Sequence, residues 1–280
     1  MLNKLTPSKF YWFLKNFYIF IVIVIIYVPL LFIVALSFTG QNDRGNININ
    51  FDNFTAINFV EIFKDSTFIN AFTNSLLVVI VVTPTSLIIA IFSCIGMWYS
   101  KQKSKQFILN ATRTNIALPE IITGIMLAIL FIATWVGIGL DLGYSTVLMA
   151  HISFCTPYAI VAIYPKISKM NVNLVNASMD LGHSRLATYF KFVIPYLKSS
   201  IITAAIIVST ISFDDFIITI LVNGNFETLG TAIFESRRGI QAWILTFGAL
   251  LVILLIVIIV LISIYRIYKI RKESYDKYKK

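Results

Sequence analysis

Six long apolar runs dominate this sequence and restrict the folds that it can adopt. A helix that crosses a bilayer needs about 20 consecutive apolar residues, because each residue adds about 1.5 Å along a hydrocarbon core about 30 Å thick. Only 13% of the residues are charged, too few for the surface of a soluble domain. The sequence therefore predicts an all-α integral membrane protein with six transmembrane helices, at about 17–38, 72–98, 111–136, 145–164, 199–222 and 242–265.

The basic residues predict the orientation of these helices. Nineteen of the 23 lysines and arginines lie before the first run, after the sixth, or in the loops after the second and fourth runs and at their edges, and the others are Arg44, Lys64, Arg237 and Arg238. The positive-inside rule therefore places both termini and the loop 165–198 in the cytoplasm, in a multi-pass protein of the plasma membrane. The net charge of +10 thus reports topology, and no nucleic-acid partner is expected. We expect a cytoplasmic N-terminus at 1–16, a transmembrane domain at 17–265 and a basic cytoplasmic tail at 266–280.

Three carboxylates fall within the apolar runs: Glu120 in the third, and Asp214 and Asp215 in the fifth. A charged carboxylate at the bilayer centre costs about 2.5 to 3.5 kcal/mol, so such residues usually face the interior of the bundle or a water-filled cavity. They are candidates to line a solute path for a cation, with Glu120 near the middle of the membrane and Tyr158 as a further lining residue. Adjacent helical residues point about 100° apart, so one aspartate faces the path while the other caps or pairs locally.

An alternative explains the same acids without transport. Either aspartate can end its helix early and cap the next one, and Glu120 can be satisfied by backbone donors freed by Pro119. His151 is interpreted as a hydrogen-bonded residue between helices, and the chain offers no pattern typical of a metal site. Neither a phosphate-binding loop nor a catalytic motif occurs in the sequence. No cofactor is expected on this chain, and ATP-driven transport would require another subunit to hydrolyse ATP.

The loop between the fourth and fifth runs contains the segment NASMDLGHSRLATYFKFVIP, residues 176–195. Asn176 is predicted to cap a short helix, which Gly182 ends through a left-handed turn. A second helical piece over 184–192 would carry apolar residues at helical spacing until Pro195 resets the chain. Such a helix–turn–helix could dock into a groove on a cytoplasmic partner.

This segment resembles the EAA motif of permease subunits in ATP-binding-cassette (ABC) importers, EAA-x3-G-x9-I-x-LP. Ala177, Gly182, Ile194 and Pro195 are in register, whereas Asn176 replaces the glutamate and Ser178 the second alanine. In that family the loop is the coupling helix that fits into the ATPase subunit. The resemblance therefore implies that the residues which contact the ATPase are Asn176, Ala177, Ser178, Asp180, Leu181, Gly182, Ile194 and Pro195.

Further blocks resemble the PotC-type permeases of spermidine/putrescine importers. They are LPEIITGI at 118–125, LGYSTVLMAHISFCTPYAIVAIY at 142–164, MDLG at 179–182, SFDDFIITILVNG at 212–224 and ESRRGI at 235–240. The resemblance implies a type I importer fold, also called MetI-like, and polyamine cargo. It also implies a PotB-like second permease, two PotA-like ATPases that bind ATP and Mg²⁺, and an extracellular polyamine-binding protein.

Three alternatives remain open at this point. An ion-coupled secondary transporter could use the same carboxylates as proton or sodium sites, but it leaves the coupling-like loop unexplained. An ABC permease for another small solute would keep the mechanism and change the cargo. A membrane enzyme is disfavoured, because no catalytic constellation is present.

Overall fold

A computed structural model describes residues 9–42, 45–47, 54–236 and 239–278, and these residues are mostly helical. Within these ranges, six helices are long and apolar enough to cross a membrane, which confirms the predicted number. Several basic residues used for the orientation lie outside the described residues, namely Lys4, Arg44, Arg237, Arg238, Lys279 and Lys280. The six membrane helices are Phe17–Leu36, Ser66–Tyr99, Glu120–Ile138, Tyr144–Ile167, Arg185–Asp214 and Ala242–Arg271.

The described part of the chain forms twelve α-helices, a 3₁₀ turn at Val136–Ile138 and a π-helix at Tyr189–Val193. In chain order the α-helices are α1 Lys9–Leu36, α2 Asn58–Glu61, α3 Ser66–Tyr99, α4 Gln102–Ala117, α5 Glu120–Thr134, α6 Tyr144–Ile167, α7 Val172–Asp180, α8 Arg185–Thr188, α9 Ile194–Asp214, α10 Ile217–Val222, α11 Leu229–Glu235 and α12 Ala242–Tyr278.

The chain divides into two compact units, and the first comprises Met1–Ser66 with Ser236–Lys280. In this unit α1 packs against α12, and the short α2 also contacts α12. Asn58 at the start of α2 is buried, and its amide donates to the carbonyl oxygens of Ser37 and Thr39 at 2.9 and 2.8 Å. These bonds satisfy carbonyl groups in the segment that directly follows α1.

The second unit, Thr67–Glu235, is built around α6, which packs against α4 and α9, while α10 packs mainly against α5. The buried residues of α6 recur at helical spacing, with Val147, Ala150 and Phe154 on one face. Small residues such as Ala150 and Ala204 let the backbones of membrane helices approach closely. This packing fixes the elements that carry the predicted path residues.

The third predicted span is wrong at its start. The sequence predicted one helix over 111–136, whereas α4 ends at Ala117 and α5 begins at Glu120. Leu118 and Pro119 between them have extended backbones, with ψ of 139° and 134°. The cause is Pro119, because the ring of a proline disfavours helical conformation in the residue before it.

The fifth predicted span is wrong at both ends. It was expected over 199–222, but the membrane helix runs from Arg185 to Asp214. Pro195 does not reset the chain: it lies in the first turn of α9, directly after the π-helix, where its missing N–H costs least. The helix ends early because the backbone of Asp215 is extended, with ψ of 130°. A second, short helix, α10, follows.

Candidate functional site

Asp215 lies at the break between α9 and α10 and is used for local structure. Its carboxylate accepts the backbone N–H groups of Ile218 at 3.3 Å and Thr219 at 2.9 Å, and also the hydroxyl of Thr219 at 2.7 Å. The N–H groups in the first turn of a helix have no partner within the helix, and a carboxylate there also favours the helix dipole. The side chain is only 4% exposed, so Asp215 stabilises the start of α10 from a buried position.

His151 of α6 contacts both of the helices that meet at this break. Its Nδ1 lies 2.9 Å from the Ser212 hydroxyl of α9, and its Nε2 lies 2.9 Å from the Thr219 hydroxyl of α10. Because Thr219 donates its one hydroxyl hydrogen to Asp215, Nε2 must donate to Thr219. In the neutral imidazole, Nδ1 then accepts from Ser212. The prediction of a hydrogen-bonded residue between helices is confirmed, and His151 is 1% exposed.

The two other predicted path acids are exposed. Asp214 ends α9 next to the buried Asp215, so the adjacent aspartates face different surroundings, as their angular separation predicted. Glu120 is the first residue of α5, directly after the break at Pro119, and it is within electrostatic range of the Tyr158 hydroxyl. Neither Glu120 nor Asp214 is buried as the Asp215 side chain is. The roles of these four residues in a path stay predictions.

The two breaks lie close to one another because α5 packs against α10. Gly124, one turn after Glu120, makes this approach possible. A Cβ atom on Gly124 would lie 2.7 Å from Cδ1 of Leu221 and 3.3 Å from Cα of Ile218, which are both in α10. The absence of a side chain at Gly124 therefore sets the distance between the helix that begins at Glu120 and the helix that Asp215 caps.

The predicted turn of the coupling segment is a Schellman motif. Gly182 has a φ of 87°, its N–H donates to the carbonyl of Met179 at 2.9 Å, and the N–H of His183 donates to the carbonyl of Ser178 at 3.2 Å. These are the two bonds that define the motif, and the left-handed residue within it favours glycine. Gly182 ends α7 as predicted from the sequence.

The start of that helix differs from the prediction. The N-cap is Asn171, whose side chain accepts from the N–H of Asn173, and Asn176 lies within α7. Asn171 competes successfully because it is the first of several asparagines that can cap, and an earlier cap gives a longer helix. Asn176 instead lines a cavity of about 290 Å³ together with Tyr99, Arg185 and others.

The helix–turn–helix has one face in the core and one exposed. Ser178 is buried and shares a hydrogen bond of 3.0 Å with Thr188, which ties α7 to α8 across the turn. Val193, in the π-helix that follows α8, is also buried. The most exposed large apolar side chains are Leu181, Leu186 and Phe190, at 80%, 69% and 66% exposure, and the exposed predicted contacts also include Asn176, Ala177, Asp180 and Pro195.

A match to a family model identifies the class of protein that has this arrangement of broken helices and an exposed turn. Residues 83–272 match the model of a family described as the inner membrane component of binding-protein-dependent transport systems. The chain belongs to this family. It is therefore a multi-pass membrane protein and a permease component of ABC importers, which confirms the predicted class.

The most informative relatives carry names of the branch that the sequence blocks indicated. The chain is 39% identical over 246 residues to a Mycoplasma genitalium protein named spermidine/putrescine transport system permease protein PotC homolog, with 86% of each chain covered. It is 23% identical over 243 residues to PotC of Haemophilus influenzae, covering 86% of this chain and 91% of that one. The resemblance to PotC-type permeases is thereby confirmed.

The fold is also that of a solved ABC transporter. A chain from a bacterial ABC transporter involved in the import of the acidic polysaccharide alginate superposes with a TM-score of 0.66, covering 96% of this chain and 99% of that one. At 12% identity this likeness speaks for the fold alone. It confirms the all-α permease fold predicted from the resemblance.

Sequence reasoning missed two features of this permease. Ser212 and Thr219 complete the buried network around His151, and only their tertiary proximity identifies them, because single hydroxyls in apolar helices are common. Glu227, in the segment before α11, is the second feature. Burial raises the pKa of its carboxyl above the ordinary value, and the negative charge of Glu235 raises it further.

Proposed function

We propose that this chain is one of two permease subunits of an ATP-driven polyamine importer. Its proposed partners are a PotB-like permease, two PotA-like ATPases and an extracellular polyamine-binding protein. Both termini and the loop 165–198 would face the cytoplasm, with 1–16 and 266–280 flanking the transmembrane domain 17–265. The positive-inside rule supports this orientation.

The observation that carries the coupling proposal is the exposed Schellman turn at Gly182. Leu181, at the tip of α7, is 80% exposed, and Leu186 and Phe190 extend the apolar surface beyond the turn. A permease lacking a phosphate-binding loop must receive the energy of ATP hydrolysis through a surface of this kind, since ATP and Mg²⁺ would bind to the partner ATPases. The buried Ser178–Thr188 bond supports a rigid element that can transmit force.

The polyamine proposal rests on the names of the relatives and on Glu120. Polyamines are cations at neutral pH, and a carboxylate within the membrane compensates their desolvation. Glu120 is exposed at the break between α4 and α5 and within electrostatic range of Tyr158. This placement supports Glu120 as the principal cation contact, with Asp214 as a second candidate.

The proposal is tested by reconstituting the permease with its partner subunits and the binding protein in liposomes. We expect spermidine to stimulate ATP hydrolysis and ATP to drive spermidine uptake. Uptake that follows a proton or sodium gradient with this chain alone would instead favour the ion-coupled transporter. ATP hydrolysis that is stimulated by another solute and not by polyamines would keep the importer and overturn the cargo.

A pair of glycine variants tests the coupling surface. Gly182 has a positive φ and open space around it, so Gly182→Val strains the turn without a clash. We expect assembled complex in normal amounts but little uptake. Gly137→Val is the matched control, because Gly137 also has open space and lacks a positive φ. Normal uptake by Gly182→Val would overturn the coupling role of the turn.

A further inference from the structure

A second cavity, of about 550 Å³, lies between α4 and the end of α6, and its lining includes none of the residues at the helix breaks or at the exposed turn. Lys105 and Arg113 of α4 both line it, with the amides of Gln102, Gln106 and Asn110 and the ring of Tyr164. Each of these side chains except the tyrosine ring offers N–H donors. The lining is therefore suited to an anion that accepts several hydrogen bonds.

The charged residues that line the cavity are all basic. The two stretches that line it, 102–113 and 164–168, contain four lysines and arginines and no aspartate or glutamate. The Lys105 ammonium lies 5.8 Å from the centre of the Tyr164 ring, a cation–π contact that holds the charge at the cavity. Two cations that converge on one concavity without an acidic partner attract an anion more strongly than scattered surface charges do.

The helix that carries these charges has the character of an interfacial helix. Lys105, Leu109 and Arg113 recur at i, i+4 and i+8, so they lie along one face of α4. Phe107, on a different face, is 75% exposed. Basic residues beside an exposed aromatic ring are typical of a helix at the boundary between headgroups and acyl chains. Tyr164 occupies the corresponding level of α6, as tyrosines do at membrane interfaces.

We propose that this cavity binds the phosphate headgroup of an anionic phospholipid from the cytoplasmic leaflet. The inference goes beyond the proposed transport function and uses only the orientation given there. Basic pockets between membrane helices on the cytoplasmic side are suited to such headgroups. Leu109, which lines the cavity, favours a lipid over a free phosphate ion, because an acyl chain can cover it. The cavity is within the range of volumes that small-ligand sites have.

The test uses the assembled complex in detergent, with lipid removed and phosphatidylglycerol added back. Bound lipid is measured by native mass spectrometry. We expect the double variant Lys105→Gln/Arg113→Gln to bind phosphatidylglycerol roughly 30-fold more weakly, since each of the two basic residues that line the cavity is expected to contribute about a 5.4-fold attraction. Lys103→Gln is the matched control, because Lys103 is on the same helix, is exposed and does not line the cavity. It should bind like the unaltered complex.

Three results would overturn the proposal. Equal phosphatidylglycerol binding by the double variant and by Lys103→Gln would show that the cavity is not the site. Equal retention of phosphatidylcholine would remove the requirement for an anionic headgroup. Displacement of the bound lipid by inorganic phosphate at low concentration would assign the cavity to a soluble anion. ATP hydrolysis is measured in parallel, so that loss of the assembled complex is recognised independently of lipid binding.

Discussion

Two helix breaks within Thr67–Glu235 carry an acidic residue each, and their environments differ sharply. At the break between α9 and α10, Asp215 is buried and its carboxylate oxygens accept three hydrogen bonds. At the break between α4 and α5, Glu120 is exposed and lies within electrostatic range of Tyr158. A carboxylate that accepts hydrogen bonds from neighbouring backbone N–H groups stabilises the fold. An exposed carboxylate remains able to bind a cation.

The contrast between Asp215 and Glu120 shows why the sequence alone leaves the role of an acid in an apolar run ambiguous. The carboxylate of Asp215 is stabilised by buried donors, whereas that of Glu120 is exposed on the surface of this chain. The sequence signal is the same, since each acid stands within an apolar run. Variants at the two breaks should therefore affect different properties: folding at Asp215 and transport at Glu120.

The largest effect is expected for Asp215→Ala. The substitution leaves the N–H groups of Ile218 and Thr219 and the Thr219 hydroxyl without their shared acceptor, at a cost of about 3 kcal/mol. Thermal unfolding of the purified complex in detergent should show a lower midpoint and less assembled protein. An unchanged midpoint with transport abolished would contradict the capping role and assign Asp215 to the path.

The contact between the two breaks is tested by Gly124→Val. The added atoms would overlap Leu221 and the backbone of Ile218, and overpacking of this kind costs about 2 kcal/mol. We expect a lower unfolding midpoint than that of the unaltered protein, but a higher one than that of Asp215→Ala. Gly96→Val is a matched control in α3, where a Cβ atom meets nothing within 4 Å. Equal midpoints for the two variants would contradict the close approach of α5 and α10.

A smaller effect, confined to transport, is expected for Glu120→Gln. Removing the charge preserves the shape of the side chain but weakens the attraction for a cation, so spermidine-dependent transport should fall roughly ten-fold, equivalent to about 1.4 kcal/mol. The unfolding midpoint should not change, because Glu120 is exposed. Uptake kinetics in liposomes measure the effect, and unaltered kinetics would remove Glu120 from the path.

The smallest effect on stability is expected for Asp214→Asn. This exposed aspartate adjoins the buried one, so the pair tests the contrast within two consecutive residues. The unfolding midpoint should remain that of the unaltered protein. Transport measurements on the same sample then decide whether Asp214 contributes to the path together with Glu120. A midpoint as low as that of Asp215→Ala would contradict the different environments of the two residues.

Much of the architecture could be predicted from local sequence. The apolar runs predicted six membrane helices because lipid requires every backbone group to bond within its own segment. Gly182 predicted a left-handed turn because residues with side chains rarely adopt a positive φ. The motif around it predicted the family, which the comparison confirmed.

Other features could not be predicted from these local patterns. The prediction that Asn176 caps a helix was wrong, because Asn171 offered an earlier cap. The predicted reset at Pro195 was wrong, because a π-helix accommodates the proline within a continuous helix. The network of His151 with Ser212 and Thr219 joins residues more than 60 positions apart, and periodicity carries no information about such pairs.

By itself, the sequence determined the membrane class, the number of spans and the type of turn at Gly182, because each follows from solvent or backbone constraints that act within one segment. Tertiary structure alone decided which acid is available to bind a cation. Asp215 is occupied because α10 folds back over its carboxylate and α6 brings His151 beside it. Glu120 remains exposed because no packed neighbour covers the start of α5 among the described residues. Availability of a charged group depends on what packs around it, and packing is a property of the whole fold.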